Sequence, residues 1–179
     1  IMEKPVQGQE RKALTVSDEF DTEALGLCWQ WNHNPVDEAW SLTERAGYMR
    51  LKAQKAVSLF DARNTLTQRM EGPTCEATVA IDLRNMKDGD RAGFSAFNSD
   101  ATLLAIRKTN GRLYLSMDEE KVKLSNDTKA IREVKQGSLT DEIRLRRPVV
   151  YLRIEGDFRP GPTKDIVKFW YSTDNRKWE

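Results

Sequence analysis

Asn110-Gly111 stands between two runs of mostly apolar residues, Thr102-Leu103-Leu104-Ala105-Ile106-Arg107-Lys108 and Leu113-Tyr114-Leu115-Ser116-Met117. A two-residue turn of the I′ type needs positive φ at both central positions, and Asn-Gly supplies this at low steric cost. The segment therefore predicts a β-hairpin, which sets two antiparallel strands side by side. From Leu14 onward most of the chain keeps the same period of two. In Cys75-Glu76-Ala77-Thr78-Val79-Ala80-Ile81-Asp82-Leu83 the odd positions are apolar and the even ones mostly polar or small. Glu142-Ile143-Arg144-Leu145-Arg146 alternates, and Val150-Tyr151-Leu152-Arg153-Ile154-Glu155 places Val150, Leu152 and Ile154 on one inner face. Asp165-Ile166-Val167-Lys168-Phe169-Trp170-Tyr171 is aromatic and β-branched, which suits a strand. Alternation of this kind describes strands with one face on a core.

Helical signals are weak. Lys52 to Asp61 has an amphipathic hint, and Asp37-Glu38-Ala39 suits a single turn, but neither is long or capped. Many short strands separated by turn residues, with almost no helix, predict an all-β, two-sheet antiparallel sandwich. A chain of 179 residues suits one domain. Residues 1–13 read as a charged linker without period, and residues 14–179 as the sandwich. The N-terminal segment has no apolar signal core and fixes no localisation.

Charge narrows the partners. Lys and Arg number 29 against 28 Asp and Glu, a net charge of +1. No single-sign field is available to gather nucleic acid or an anionic membrane. No apolar run reaches the ~18 residues that a membrane-spanning helix requires. Two cysteines, Cys28 and Cys75, are too few for a disulfide scaffold; a pair in an oxidising compartment and two buried free thiols are both open.

Catalytic patterns are missing. Glycoside hydrolysis uses two carboxylates flanking one bond. Sandwich glycosidases of the laminarinase type carry theirs on one strand as Glu-x-Asp-x-x-Glu, which does not occur here. Asp18-Glu19-Phe20-Asp21 and Asp118-Glu119-Glu120 read as strand ends or solvated turns. His33 is the single histidine, too little with Cys28 for a zinc site. Neither a Gly-x-Ser-x-Gly elbow nor a phosphate-cradling glycine loop is present.

Trp29-Gln30-Trp31-Asn32-His33-Asn34-Pro35, followed by Trp40-Ser41-Leu42-Thr43-Glu44-Arg45, is more informative. Sugar recognition sets flat aromatic faces against C–H faces, with amides and charged forks on hydroxyls. Trp29, Trp31, Asn32, His33, Asn34, Trp40 and Arg45 contain both kinds of group. Packing at a core or an edge is the competing role for the tryptophans, and Asn32 and Asn34 beside Pro35 also suit a turn. In a regular strand one of Phe169 and Trp170 faces outward, where Trp170 would serve as a sugar platform or cover a domain interface.

Trp29–Pro35 and Trp40–Leu51 resemble the signature of the accessory β-sandwich that follows the catalytic propeller in family 43 glycoside hydrolases, the β-xylosidases and α-L-arabinofuranosidases. Ala62-Arg63-Asn64-Thr65-Leu66-Thr67-Gln68-Arg69, Gly89-Asp90-Arg91-Ala92-Gly93-Phe94 and Tyr171-Ser172-Thr173-Asp174-Asn175-Arg176-Lys177-Trp178 resemble later blocks in the same order, with Asn175 where the family has Gly. The resemblance implies a concanavalin A-like jelly roll and a five-bladed β-propeller before it in the same polypeptide. That propeller would hold the catalytic carboxylates, so no catalytic residue is assigned to this chain. Residues 1–13 would be the tail of the interdomain linker.

The resemblance further implies an accessory domain that packs on the propeller and shapes its pocket for the ends of xylose- or arabinose-containing polysaccharide; the alternative is an autonomous carbohydrate-binding module for xylan or arabinoxylan. Arg63 and Arg69 would pair within the sandwich or contact the propeller. A periplasmic or secreted place is expected over a cytoplasmic one. No cofactor is expected, apart from a structural calcium of the kind such sandwiches carry, with Asp18, Glu19 and Asp21 as candidate ligands. Family domains continue past the Trp hairpin with two further strands. The chain is expected to lack those strands and to be less stable than the extended domain.

Overall fold

The structure is a computed structural model and describes residues 17–161 and 165–179. The linker expected at residues 1–13 lies outside the described residues. The strands are β1 (Gln30–Trp31), β2 (Trp40–Ser41), β3 (Arg50–Leu51), β4 (Leu66–Thr67), β5 (Thr74–Asp82), β6 (Arg91–Phe97), β7 (Ala101–Thr109), β8 (Arg112–Leu124), β9 (Ile131–Ser138), β10 (Ile143–Leu145), β11 (Val149–Asp157) and β12 (Ile166–Ser172).

Two antiparallel sheets make the sandwich. One has the order β12-β11-β5. The other runs β10-β8-β7-β6, with β9 also on β8. The Asn110-Gly111 turn has φ of 50° and 69°, as a I′ hairpin requires, and it joins β7 to β8 with Thr109 opposite Arg112. β9 and β10 lie along the same edge of β8, opposite Asp118–Leu124 and Leu113–Leu115 respectively. At the gap between them Leu139 donates to the Met117 carbonyl, and the Thr140 hydroxyl accepts the Met117 N–H. The edge therefore stays hydrogen-bonded where the strand is interrupted.

The main core lies between the sheets. Leu104, Ile106 and Leu115 of one sheet meet Val150 and Leu152 of the other, with Leu83 and Leu145. Val150, Leu152 and Ile154 are buried, while Tyr151, Arg153 and Glu155 alternate with them on the outer side. Cross-strand pairs Leu152↔Val79 and Val150↔Ile81 continue this inner face onto β5. Strand β7 is buried on both faces, which explains its unbroken Leu103-Leu104-Ala105-Ile106 run. Its second face, Ala101, Leu103 and Ala105, is covered by Leu59 and Phe97.

Among the described residues helix is confined to one 3₁₀ turn at Asp37–Ala39, where a single turn was expected. The amphipathic hint at Lys52 to Asp61 does not become a helix. The Asp61 carboxylate instead accepts the Val57 and Ser58 N–H groups and the Ser58 hydroxyl, which closes a local turn. Asn175 has φ of 58°, in keeping with its place where the family blocks carry glycine. Glu179 exchanges two backbone hydrogen bonds with Tyr171, at 2.9 and 3.0 Å, closing a hairpin after β12. Among the described residues no helix is long and apolar enough to cross a membrane.

Candidate functional site

The Trp-rich segment folds back on the chain rather than displaying its rings in a row. β1 pairs with β4, so Gln30 and Trp31 face Thr67 and Leu66. β2 pairs with β3, so Trp40 faces Leu51. Trp29 stacks on Phe20 with centroids 5.5 Å apart, and its indole N–H donates to Asp18 at 2.7 Å. Trp31 and Trp40 pack against each other at 5.3 Å. All three indoles are half-buried. Packing is therefore the arrangement that the fold gives them.

The polar members of the segment converge on one peptide. The Asn32 side-chain amide donates to the Phe60 carbonyl at 2.7 Å, and His33 Nε2 lies 2.6 Å from the same oxygen. The His33 ring meets Phe60 edge-on at 6.0 Å. Arg63 donates to the Asn34 carbonyl at 3.2 Å, and the Asn32 N–H donates to the Thr65 carbonyl. Residues 59–67 thus form a cradle for the signature segment, leaving His33, Asn34 and Arg63 exposed on its rim. Arg69 is exposed as well.

Arg45 and Trp170 lie elsewhere. Arg45 donates to Asp82 at 2.7 Å and lies over the Tyr48 ring at 3.5 Å. Burial pushes the Asp82 carboxyl up, but the Arg45 hydrogen bond, the Arg84 N–H and both guanidinium charges outweigh it and hold the carboxyl below its usual range. Trp170 is opposite Arg153, on the outer side of its sheet, while Phe169 and Tyr171 pack against the core. Its indole N–H is buried without a partner among the described residues.

The carboxylates expected to suit calcium do not gather. Asp18 accepts from the Phe20 N–H and the Trp29 indole, while Glu19 and Asp21 are exposed. Among the described residues no three His, Cys, Asp or Glu side chains converge on a point that could hold an ion. In this arrangement Asp18, Glu19 and Asp21 do not fit a calcium cage. Cys28 and Cys75 are free thiols, each half-buried rather than buried.

One expectation is corrected. Asp118-Glu119-Glu120 is neither a turn nor a strand end. It lies within β8, with Asp118 and Glu120 only 2% and 1% exposed. Asp118 accepts from Arg91 at 2.7 Å, from Arg107, and from the Ser116 and Ser138 hydroxyls at 2.9 Å each. Glu120 accepts from Arg91 at 2.5 Å, the Leu59 N–H at 2.7 Å and Gln136 at 3.2 Å. Strand alternation puts Ser116, Asp118 and Glu120 on one face of β8, and the two arginines offset their charge. Every carboxylate oxygen in this pair has a partner. The network also explains the cradle's position, because Glu120 holds the Leu59 N–H, one residue before the Phe60 carbonyl that Asn32 and His33 share.

Two antiparallel sheets around one core, with the signature loops anchored to both, define a concanavalin A-like β-sandwich. The chain belongs to the family described as the β-xylosidase C-terminal concanavalin A-like domain, whose profile matches residues 17–179. It is 35% identical over 125 residues to a β-xylosidase of Formosa agariphila, covering 58% of this chain and 21% of that protein. It is 54% identical over 100 residues to the non-reducing end α-L-arabinofuranosidase BoGH43B of Bacteroides ovatus, covering 54% of this chain and 19% of that one.

Among solved structures, it superposes with a TM-score of 0.83 and 29% identity on a GH43 glycoside hydrolase engineered to display endo-xylanase and exo-arabinofuranosidase activity. That match covers 98% of this chain and 35% of the other. The GH43 protein BlXynB of Bacillus licheniformis gives a TM-score of 0.70 at 25% identity, over 90% of this chain and 29% of that one. The chain thus spans about a fifth of the length of the curated relatives it matches.

Proposed function

We propose that this chain is the accessory sandwich of a glycoside hydrolase acting on the xylose- or arabinose-containing ends of polysaccharides, and that it packs on a five-bladed propeller whose pocket it shapes. The family match over residues 17–179 is the observation that carries this reading. The state of the carboxylates supports it. A general acid and base must be free to exchange protons with substrate and water. Asp118 and Glu120 are buried and bound to arginine, which makes them structural. Hydrolysis is then the neighbouring domain's task. The exposed rim of His33, Asn34 and Arg63 is the surface from the signature segment that this reading offers to the propeller.

The test compares the catalytic domain alone with the same domain joined to this sandwich, on aryl xyloside, aryl arabinofuranoside and oligosaccharides of rising length. The joined form is expected to show higher kcat/KM and a sharper preference for short ends, with no turnover by the sandwich alone. Equal rates and equal chain-length preference in the two forms would refute the role.

A further inference from the structure

Away from the Trp29–Pro35 segment and its cradle, a groove of about 500 Å³ opens on the outer side of the β12-β11-β5 sheet. Tyr48, Arg147, Tyr151, Thr173, Asp174 and Arg176 supply its functional lining. We propose that this groove binds a carboxylate-bearing sugar, the uronosyl branch of an acidic xylan. The choice of xylan rests on the glycosidase reading above; the carboxylate preference rests on the groove itself.

The lining has unused capacity of one sign. Among the described residues the Arg147 guanidinium makes one hydrogen bond, from Nη1 to the Thr173 carbonyl at 3.3 Å. The Arg176 guanidinium makes none among the described residues. The only carboxylate in the lining, Asp174, is turned into its own hairpin. It accepts the Lys177 and Arg176 N–H groups, at 2.9 and 2.8 Å, and the Ser172 hydroxyl, and these bonds, with a smaller contribution from the Arg147 charge, hold its carboxyl below the usual range. Asp174 feels the Arg147 charge, but among the described residues neither guanidinium closes an ion pair, so both forks keep free donors at the groove. A planar fork matches a carboxylate with two parallel hydrogen bonds, which a neutral sugar cannot offer.

The aromatic lining has the second property that sugar binding needs. Tyr151 stands on β11 between two buried residues, so the sheet fixes its position. Tyr48 is held by the Arg45 guanidinium stacked on its ring, and Arg45 is in turn anchored by Asp82. Both phenol hydroxyls lack a hydrogen-bond partner among the described residues. Two preset rings with free hydroxyls offer C–H stacking and hydroxyl recognition at little ordering cost. The groove's volume falls within the range for pockets that take small molecules, ~300–1,000 Å³.

Isothermal titration of the folded chain with xylotetraose bearing one glucuronosyl branch is the test, beside its methyl ester and unbranched xylotetraose. The acid is expected to bind, more weakly as salt rises, and the ester and the unbranched form at least ~10-fold more weakly. Arg147→Gln and Arg176→Gln should each weaken the acid on the order of tenfold, while Lys123→Gln on the other sheet leaves it unchanged. Thermal melts of each variant separate lost binding from lost folding. Equal affinity for acid and ester, no binding by the folded wild-type chain, or full binding by the folded arginine variants would each overturn the assignment. Oligogalacturonate bound as tightly as the branched xylan would overturn the xylan class. The turnover of neutral aryl glycosides described above reads the accessory role separately, so the two proposals can fail independently.

Discussion

Replacing Glu120 with alanine tests the buried network, and its cost can be worked from the contacts. Glu120 is 1% exposed and accepts three hydrogen bonds, from Arg91, the Leu59 N–H and Gln136. Breaking a buried ion pair by removing one partner costs ~3–5 kcal/mol. Arg91 is not fully stranded here: its side chain is 31% exposed and it keeps Asp118. Gln136 is exposed and can turn to water. The Leu59 N–H is left without its acceptor, at ~1–3 kcal/mol. The low end of the range follows, about 3 kcal/mol, or a fall of ~6–12 °C in midpoint for a chain of this size.

Glu120→Gln should cost about half as much, since it keeps one acceptor for Leu59 but turns a donor toward Arg91. Glu119→Ala is the control, because Glu119 points to the opposite face of β8 and, among the described residues, pairs only with the exposed Lys121. Its effect should stay within about 0.5 kcal/mol. Urea melts give the energies, and amide exchange at Leu59 reports the cradle directly. If Glu120→Ala costs no more than Glu119→Ala, or Leu59 keeps its full protection, the network does not hold the cradle.

Three further outcomes are expected. Gly93→Ala would place a Cβ 2.2 Å from the Leu104 carbonyl oxygen. Backbone cannot give way as a side-chain tip can, so a loss of at least ~1–3 kcal/mol is expected in a urea melt, and an unchanged midpoint would contradict the packing described. Asn175→Gly should be neutral or stabilising by up to about 1 kcal/mol and Asn175→Val destabilising, because position 175 is left-handed; chemical denaturation of both settles the order. Asp61, Asp82 and Asp174 have folded carboxyls held below their unfolded value, so the stability they add is complete above the ordinary carboxylate range and is lost as pH falls through the folded values. Asp157, held at about 2 by its Arg159 hydrogen bonds, is the last of them to protonate. Arg45→Gln should raise Asp82 toward its ordinary value and flatten the acid arm of the stability curve below pH ~4; an unchanged slope would exclude this pair as a contributor.

The sandwich was legible where a strand buries one face. β5 and β11 alternate, and Asn110-Gly111 states its own turn. β8 was legible only in its first half. Beyond Met117 the chain reads Asp-Glu-Glu-Lys, which resembles a solvated turn because side-chain chemistry alone carries no sign of partners. The arginine partners of Asp118 and Glu120 come from β6 and β7, at positions 91 and 107, and only strand pairing brings them there. The repeated face of Ser116, Asp118 and Glu120 was the available clue. The signature segment was visible as a pattern, but its geometry was not. Its tryptophans could stack on a sugar or on each other, and the choice depends on β1–β4 and β2–β3 pairings only two residues long. The groove draws Tyr48, Arg147, Tyr151 and Arg176 from separate stretches of chain, so no local spacing announces it.

Two of the cradle's holds, one on each neighbour, are made through its main-chain atoms. Glu120 holds the N–H of Leu59, and Asn32 and His33 hold the carbonyl of Phe60. Main-chain groups are the same for nearly every amino acid, so homologous chains can vary the side chains at positions 59 and 60 and keep this polar linkage, subject to packing. Proline at position 59 would remove the donor outright. An inserted or deleted residue between the two groups would shift one relative to the other by up to about 3.8 Å, more than a hydrogen bond can span. In a set of natural relatives, then, this stretch should be read by its length first and its letters second.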